Sequence, residues 1–349
     1  MMKSIRLIHK PKKSEEMKAL KNIHIDGFRT GSGKTVSIEL SYQTFGQDLH
    51  EAPVVMVIHA LTGNSNVTGD KGWWNEIIGP GKCIDTDVFS VLAFNIPGNG
   101  YDQNENNLIA NYKDFNAQDI AAIFANGIDH LGIDRLYAVI GGSVGGGLVW
   151  ELAVLRPNLI EHIIPIASDW KSTDWVIANC FIQDNILNNS AKPLEDARMH
   201  AMTLYRTPES FVKKFSRTRR HDDLYNVESW LNYHGDQLQS RFQLSAYKIV
   251  NQVLKTIDIT RHGSDFLETI AEIKSSIHII AIDSDLLFKA SENRSTFTAL
   301  RKVRNNVTFG EIKSIHGHDA FLIEYDQLEK ILRPVFQLHE GVKDQLRAS

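Results

Sequence analysis

The run Leu136-Tyr137-Ala138-Val139-Ile140-Gly141-Gly142-Ser143-Val144-Gly145-Gly146-Gly147 decides how this chain folds. An apolar, β-prone segment, 136–140, enters a Gly-x-Ser-x-Gly turn. An amphipathic, helix-like segment, 148–155, leaves it and stops at Arg156-Pro157. Strand, Gly-x-Ser-x-Gly and helix in that order make a nucleophile elbow. The serine must occupy a strained turn that holds its Oγ clear of the backbone. Side chains at Gly141 and Gly145 would collide with the neighbouring strand and helix. The five-residue pattern alone recurs by chance, and its flanking elements are what make Ser143 a candidate nucleophile.

Around this unit, strands and helices alternate. Residues 23–28 and 35–45 show the period-two pattern of half-buried strands. Between them, Thr30-Gly31-Ser32-Gly33-Lys34-Thr35 superficially resembles a phosphate-binding loop, but the first glycine of that pattern would fall on Phe28 and a strand follows where a helix should. It reads as a hairpin turn. Continuous apolar runs at 53–59 and 87–95 are of the kind buried on both faces of a parallel sheet. A helix is expected over about 116–131 and a further strand over 162–167. Sheet patterning resumes at 276–282 and 306–312, and a closing helix spans about 325–339. This spacing predicts an α/β fold with a doubly wound, mostly parallel sheet.

Between residues 168 and 267 the pattern changes to helical, polar-rich segments carrying Trp170, Trp175 and Trp230, without clear strands. This predicts a helical lid over the carboxyl edge of the sheet, where loops build active sites. The expected division is a lead-in over 1–21, a core over 22–170 and 268–349, and a lid over 171–267.

Composition is that of an ordinary globular protein of 349 residues, with 42% hydrophobic and 23% charged residues. A net charge of −4 gives no reason to expect nucleic acid or an anionic membrane as partner. Cys83 and Cys180 are the only cysteines, which excludes a disulfide framework or a cysteine metal cluster. The first residues lack the apolar stretch of a signal peptide, and no run reaches membrane-span length. The expected location is cytoplasmic.

A serine hydroxyl is a poor nucleophile at neutral pH, so Ser143 needs a base and the base an orienting carboxylate. After an elbow serine, the order in α/β-hydrolases is an acid and then a histidine. The strand at 276–282 ends in Asp283-Ser284-Asp285, and the strand at 306–312 leads to His316-Gly317-His318-Asp319. Spacing does not separate Asp283 from Asp285, or His316 from His318. The basic run Lys213-Lys214-Phe215-Ser216-Arg217-Thr218-Arg219-Arg220 could meet coenzyme A phosphates, but reads first as a solvated charged face.

Several stretches, in order from about residue 40 to 322, resemble the homoserine O-acyltransferase family of α/β-hydrolase-fold enzymes. They are His59-Ala60-Leu61-Thr62-Gly63, Gly72-Trp73-Trp74-Asn75, residues 78–82 and 85–87, and Gly141 to Gly146. Further on come Ala197-Arg198, Tyr205-Arg206, residues 227–231, Arg241-Phe242, residues 284–288 and residues 317–322. The resemblance implies an α/β-hydrolase fold and a triad of Ser143, Asp285 and His318. It also implies an oxyanion hole from the backbone N–H groups of Leu61 and Val144, and an amino-acid clamp of Arg198, Tyr205 and Asp319. An Arg fork suits a carboxylate, and an acid suits an α-ammonium.

The implied reaction is acetyl transfer from acetyl-CoA to L-homoserine by a ping-pong route towards methionine, in a homodimer, with acetyl-CoA as co-substrate and no metal or cofactor. Succinyl-CoA as donor, serine as acceptor, ester hydrolysis and a non-catalytic binding module are the rivals. Two departures from the family bear on substrate choice. The segment Asn95-Ile96-Pro97-Gly98-Asn99-Gly100-Tyr101 replaces a Gly-Ser-Thr-Gly-Pro-containing one, and Val144 and Gly147 replace methionines.

Overall fold

Side chains alternate across a strand, so a strand buried on both faces must be apolar throughout. The two runs of this kind become β3 and β4 at the centre of the sheet. The structure is a computed structural model that describes residues 20–263 and 265–337. The lead-in, except its last two residues, and the closing helix beyond residue 337 lie outside the described residues.

Strands β1 (Lys21–Arg29) and β2 (Thr35–Gly46) pair antiparallel across the turn that had mimicked a phosphate loop. Strands β3 (Val54–Ile58) and β4 (Ser90–Phe94) precede helix α1 (Ala117–His130). Asn116 caps α1 through a reciprocal capping box with Asp119. Strand β5 (Leu136–Gly142) passes through the elbow into α2 (Val144–Leu155), and β6 (Ile160–Ile166) follows. Helix α2 starts four residues before the stretch read as helix, because its glycines are themselves helical.

Six helices then intervene: α3 (Asp174–Asn189), α4 (Pro193–Tyr205), α5 (Pro208–Phe215), α6 (Asn226–Gln239), α7 (Leu244–Lys255) and α8 (Phe266–Ala271). The chain closes with β7 (Ser276–Ile282), α9 (Ala290–Arg301), β8 (Val307–Ile312) and α10 (Tyr325–Phe336).

Among the described residues the central sheet has eight strands in the order β1-β2-β4-β3-β5-β6-β7-β8. Strand β2 is antiparallel to both neighbours, and all other pairings are parallel. The fold is thus the doubly wound, mostly parallel sheet expected. One feature of the 168–267 segment differs from expectation. A short hairpin, Arg219–His221 with Leu224–Tyr225, joins α5 to α6. It is too short and polar to show a period in sequence.

Two apolar cores flank the sheet. Met56, Ile58, Leu92, Phe94 and Val139 face α1 and α2, while Val55, Val57, Val91, Ala93 and Ile140 face Trp74 and the Leu328 and Leu332 side chains of α10. Each fully buried side chain of this size stabilises the fold by about 1.5–3 kcal/mol. Helix α7 adds Ile249, Val250 and Val253 to the first core, so the segment after β6 is tied into the same apolar mass as the sheet. Among the described residues no helix is long and apolar enough to cross a membrane.

Candidate active site

Ser143 has φ 58° and ψ −127°, a left-handed conformation that a side-chain-bearing residue adopts only under constraint. The neighbouring backbone supplies that constraint. A Cβ on Gly141 would stand 2.6 Å from the Gly145 carbonyl carbon, and one on Gly145 would stand 2.4 Å from the Ile58 carbonyl oxygen. The Ser143 amide is held by the Ile166 carbonyl at 2.9 Å. The serine is buried, at 4% exposure.

Its Oγ lies 2.8 Å from Nε2 of His318, and Nδ1 of that ring lies 2.7 Å from Oδ2 of Asp285. The other carboxylate oxygen, Oδ1, accepts from the amides of Leu287 and Phe288 at 2.7 and 2.9 Å, which fixes the direction of the aspartate. Burial opposes charging His318, but the Asp285 carboxylate outweighs it and holds the ring above its ordinary value, with Asp319 adding to the effect. The alternatives that spacing left open are separated by their surroundings. His316 accepts from Nη1 of Arg206 at 3.0 Å, and Asp283 caps the Ser314 amide at 3.0 Å. Gly317 joins the two histidines at φ +67°, and a Cβ there would stand 2.8 Å from the Tyr205 carbonyl oxygen. The end of α4 therefore presses directly on the histidine loop.

Leu61 lies in the loop after β3, whose Ile58 and His59 carbonyl oxygens approach Gly145, and Val144 follows Ser143 at the start of α2. Among the described residues neither backbone amide has a protein acceptor. The loop that carries Leu61 is held by His59, which the sequence reading had singled out only as part of a motif. His59 is fully buried, with Nδ1 2.7 Å from the Ala60 carbonyl oxygen, while Nε2 accepts from the Ile96 amide at 3.0 Å. Asn99 Nδ2 lies 3.3 Å from the same Nε2 and donates to Asn95 Oδ1 at 3.1 Å. Burial pushes His59 down to about 4, so it is neutral and works as a polar bolt. The divergent 95–101 segment is thus fastened to the candidate oxyanion loop. Arg241 fastens the loop from the other side, donating to the Thr62 carbonyl at 3.1 Å.

The three residues expected to clamp an amino acid converge beside the histidine. The Tyr205 ring lies 5.5 Å from that of His318, and the guanidinium of Arg198 lies 5.8 Å from the Tyr205 ring. Burial pushes the Tyr205 phenol up to about 12, so it is a neutral hydrogen-bonding group that shares a bond with Tyr247. Asp319 is not free. Its Oδ2 lies 3.2 Å from Nε of Arg206, a residue to which the sequence reading gave no role. Burial still raises Asp319 above its usual range, against the lowering influence of Arg206, His318 and Arg198. An incoming cation at Asp319 would therefore share the carboxylate with Arg206.

Gly147 is hemmed in by packing. A Cβ there would stand 2.1 Å from Cδ1 of Ile257, which is itself buried. Ile257 occupies the space that a side chain at position 147 would need, and the glycine lets α2 pack closely against the chain after α7.

A strained serine hydrogen-bonded to a buried histidine–aspartate pair, with the unengaged Val144 amide directly after it, is arranged for nucleophilic attack on an acyl group. The chain matches the alpha/beta hydrolase fold family over residues 53–322. It is 33% identical over 324 residues to a homoserine O-acetyltransferase of Cyclobacterium marinum, covering 87% of this chain and 90% of that protein. A homoserine O-acetyltransferase of Methanobrevibacter ruminantium is 30% identical over 361 residues, covering 92% and 73%. Among solved structures, a homoserine O-acetyltransferase from Bacillus anthracis superposes with a TM-score of 0.82 at 20% identity, covering 91% of this chain and 97% of that one. Esterase E22 superposes with a TM-score of 0.81 at 19% identity, covering 91% and 99%. At such identities the superpositions speak for the fold alone, whereas the sequence relatives decide between transferase and esterase branches. The chain belongs to the homoserine O-acetyltransferase family of α/β-hydrolase-fold acyltransferases.

Proposed function

We propose that the protein moves an acetyl group from acetyl-CoA to the hydroxyl of L-homoserine, a step towards methionine. The observation that carries this reading is the hydrogen-bonded chain Ser143–His318–Asp285 with Arg198 and Asp319 at its rim. His318, oriented by Asp285, takes the Ser143 proton as Oγ attacks the thioester carbonyl. The amides of Leu61 and Val144 receive the oxyanion, each donor contributing roughly 3 kcal/mol to the transition state. The tetrahedral intermediate expels the thiolate, which leaves as the thiol with the proton from His318. Homoserine, its carboxylate on Arg198 and its ammonium on Asp319, then gives its hydroxyl proton to His318 and attacks the acyl-enzyme. As the second tetrahedral intermediate collapses, the bond between the acyl carbon and Ser143 Oγ breaks, His318 returns that proton to Oγ, and the O-acylated homoserine leaves. Tyr205 lines the space between clamp and base. The route calls on no metal or prosthetic group, acetyl-CoA being a co-substrate.

We place this chemistry in the cytoplasm, where acyl-CoA is available, and in a homodimer. The exposed apolar side chains Trp175, Phe181 and Ile182 on α3 support an assembly through this face.

Release of free CoA from acetyl-CoA or succinyl-CoA, with L-homoserine, L-serine or no acceptor, tests the reading. Fast release that requires both acetyl-CoA and homoserine is the expected result. Release that ignores every acceptor, with free acetate accumulating, makes the protein a hydrolase.

A further inference from the structure

We propose that a basic, aromatic groove between α5 and α6 is the docking place for the phosphorylated adenosine end of coenzyme A. The inference rests on the acyl-CoA reading above.

Two adjoining cavities of about 290 and 400 Å³ share Lys214, Phe215 and Trp230 as a common wall. The Trp230 ring is held on edge by Phe211 and Phe215, with centroids 5.6 and 5.5 Å away, and Lys214 Nζ sits 5.4 Å from its centroid. Aromatic faces beside cations are what an adenine base with phosphates selects. The base stacks and the phosphates pair.

Lys213, Lys214, Arg217 and Arg220 stand within eight residues of chain, whereas Arg135, Lys192 and Arg333 on other surfaces are each paired with a carboxylate, Glu161, Glu195 and Glu329. Among the described residues no carboxylate pairs with Lys213, Lys214, Arg217 or Arg220. Arg220 donates only to the Ser229 hydroxyl, at 2.6 Å. The protein as a whole is acidic, at −4, so this concentration of unneutralised positive charge is local. His234, behind the groove, registers the field: burial and then Arg198, Lys214 and Arg206 push it down to about 4.

The groove also lies near the triad in the chain: Arg206 and His316 are among its lining residues, and His316 is two residues before His318. Arg206 is the residue paired with Asp319, which directly follows His318. A long thioester lying along it has its nucleotide outside on Lys214 and Trp230 and its acyl end towards Ser143.

The test separates the nucleotide from the chemistry. Calorimetry with adenosine 3′,5′-bisphosphate measures binding to the intact protein. Steady-state acylation compares acetyl-CoA with S-acetyl-N-acetylcysteamine, a thioester without a nucleotide. In Lys214→Glu and Arg220→Glu, bisphosphate affinity falls and the KM for acetyl-CoA rises, each about fivefold or more, and raised salt shrinks the difference. Acylation by the truncated thioester keeps its wild-type rate. Arg135→Glu, an equal change of net charge on another surface, leaves both readouts in place. Failure of the bisphosphate to bind wild type overturns the inference, as does an equal loss with both thioesters or an equal effect of Arg135→Glu. The transferase reading fails independently, if wild type forms no acyl-enzyme from either thioester.

Discussion

The imidazole of His59 accepts a hydrogen bond from the backbone amide of Ile96 at 3.0 Å, across a fully buried interface between the candidate oxyanion loop and the segment where this chain departs from its family. Through this contact that segment is fastened to the loop that carries Leu61. His59→Ala leaves the Ile96 donor without a partner, a loss of about 1–3 kcal/mol in stability. It also frees the Leu61 amide to move. The acylation burst with p-nitrophenyl acetate is expected to slow by roughly tenfold to a hundredfold, less than full removal of an oxyanion donor. His59→Gln, which keeps an acceptor, recovers part of the rate. An unchanged burst in a destabilised His59→Ala protein would show that the loop is held without it.

The pH dependence of acylation follows from His318. Only its neutral form can take the Ser143 proton, and its value is raised, so kcat/KM falls with decreasing pH along a limb that lies above the ordinary histidine value of 6.5. Asp319 contributes to the raising, so Asp319→Asn moves the limb to lower pH. Asp285→Asn, which removes the orienting charge, costs roughly 10⁴ in rate. A pH–rate profile that does not move in Asp319→Asn would place that carboxylate outside the field of the histidine.

Acid stability has a separate origin. His59 and His278 are both held neutral by burial, at about 4, while the unfolded chain titrates near 6.5. The unfolded state then binds more protons than the native one, so their contribution is complete above 6.5 and is lost as pH falls towards 4. Urea midpoints measured between pH 7 and 4 should decline over this window. The decline should be shallower in His278→Gln, whose native partners are His162 Nδ1 at 3.0 Å and the Thr308 hydroxyl at 2.8 Å.

Gly147 and Ile257 are coupled by volume. Gly147→Ala places a methyl 2.1 Å from Ile257 Cδ1 and is expected to destabilise by about 1–3 kcal/mol. Ile257→Ala alone leaves a cavity, and the double variant recovers part of both losses. Additive changes in melting temperature would show that the contact relaxes without cost.

Arg198→Lys tests the clamp. The fork that grips a carboxylate is lost while the charge stays, so the KM for homoserine rises tenfold or more while acyl-enzyme formation from acetyl-CoA continues. A fall in the acylation step itself would assign Arg198 to the donor rather than the acceptor.

Much of this was legible from short stretches of chain. The apolar runs at β3 and β4, the turn at 30–34 and the glycines at 141 and 145 report local constraints. Pleat, backbone conformation and close approach restrict residue type position by position. Alternation of strands and helices then limits the sheet to few topologies. Other features depended on residues far apart in sequence. His316 and His318 stand in one loop with equal claims by spacing on a serine 173 and 175 positions earlier; the family resemblance singled out His318, and the docking of Arg206 onto one and Ser143 onto the other gives the physical reason. Nothing in the sequence shows that Asp319 already faces Arg206, or that Ile257 stands against Gly147. The chain's own residues determined the sheet, the elbow and the candidate chemistry, because these rest on local stereochemistry. Which side chains meet, which charges are already neutralised and which gaps are already filled was decided by tertiary packing, because a partner distant in sequence leaves no periodic trace at either position.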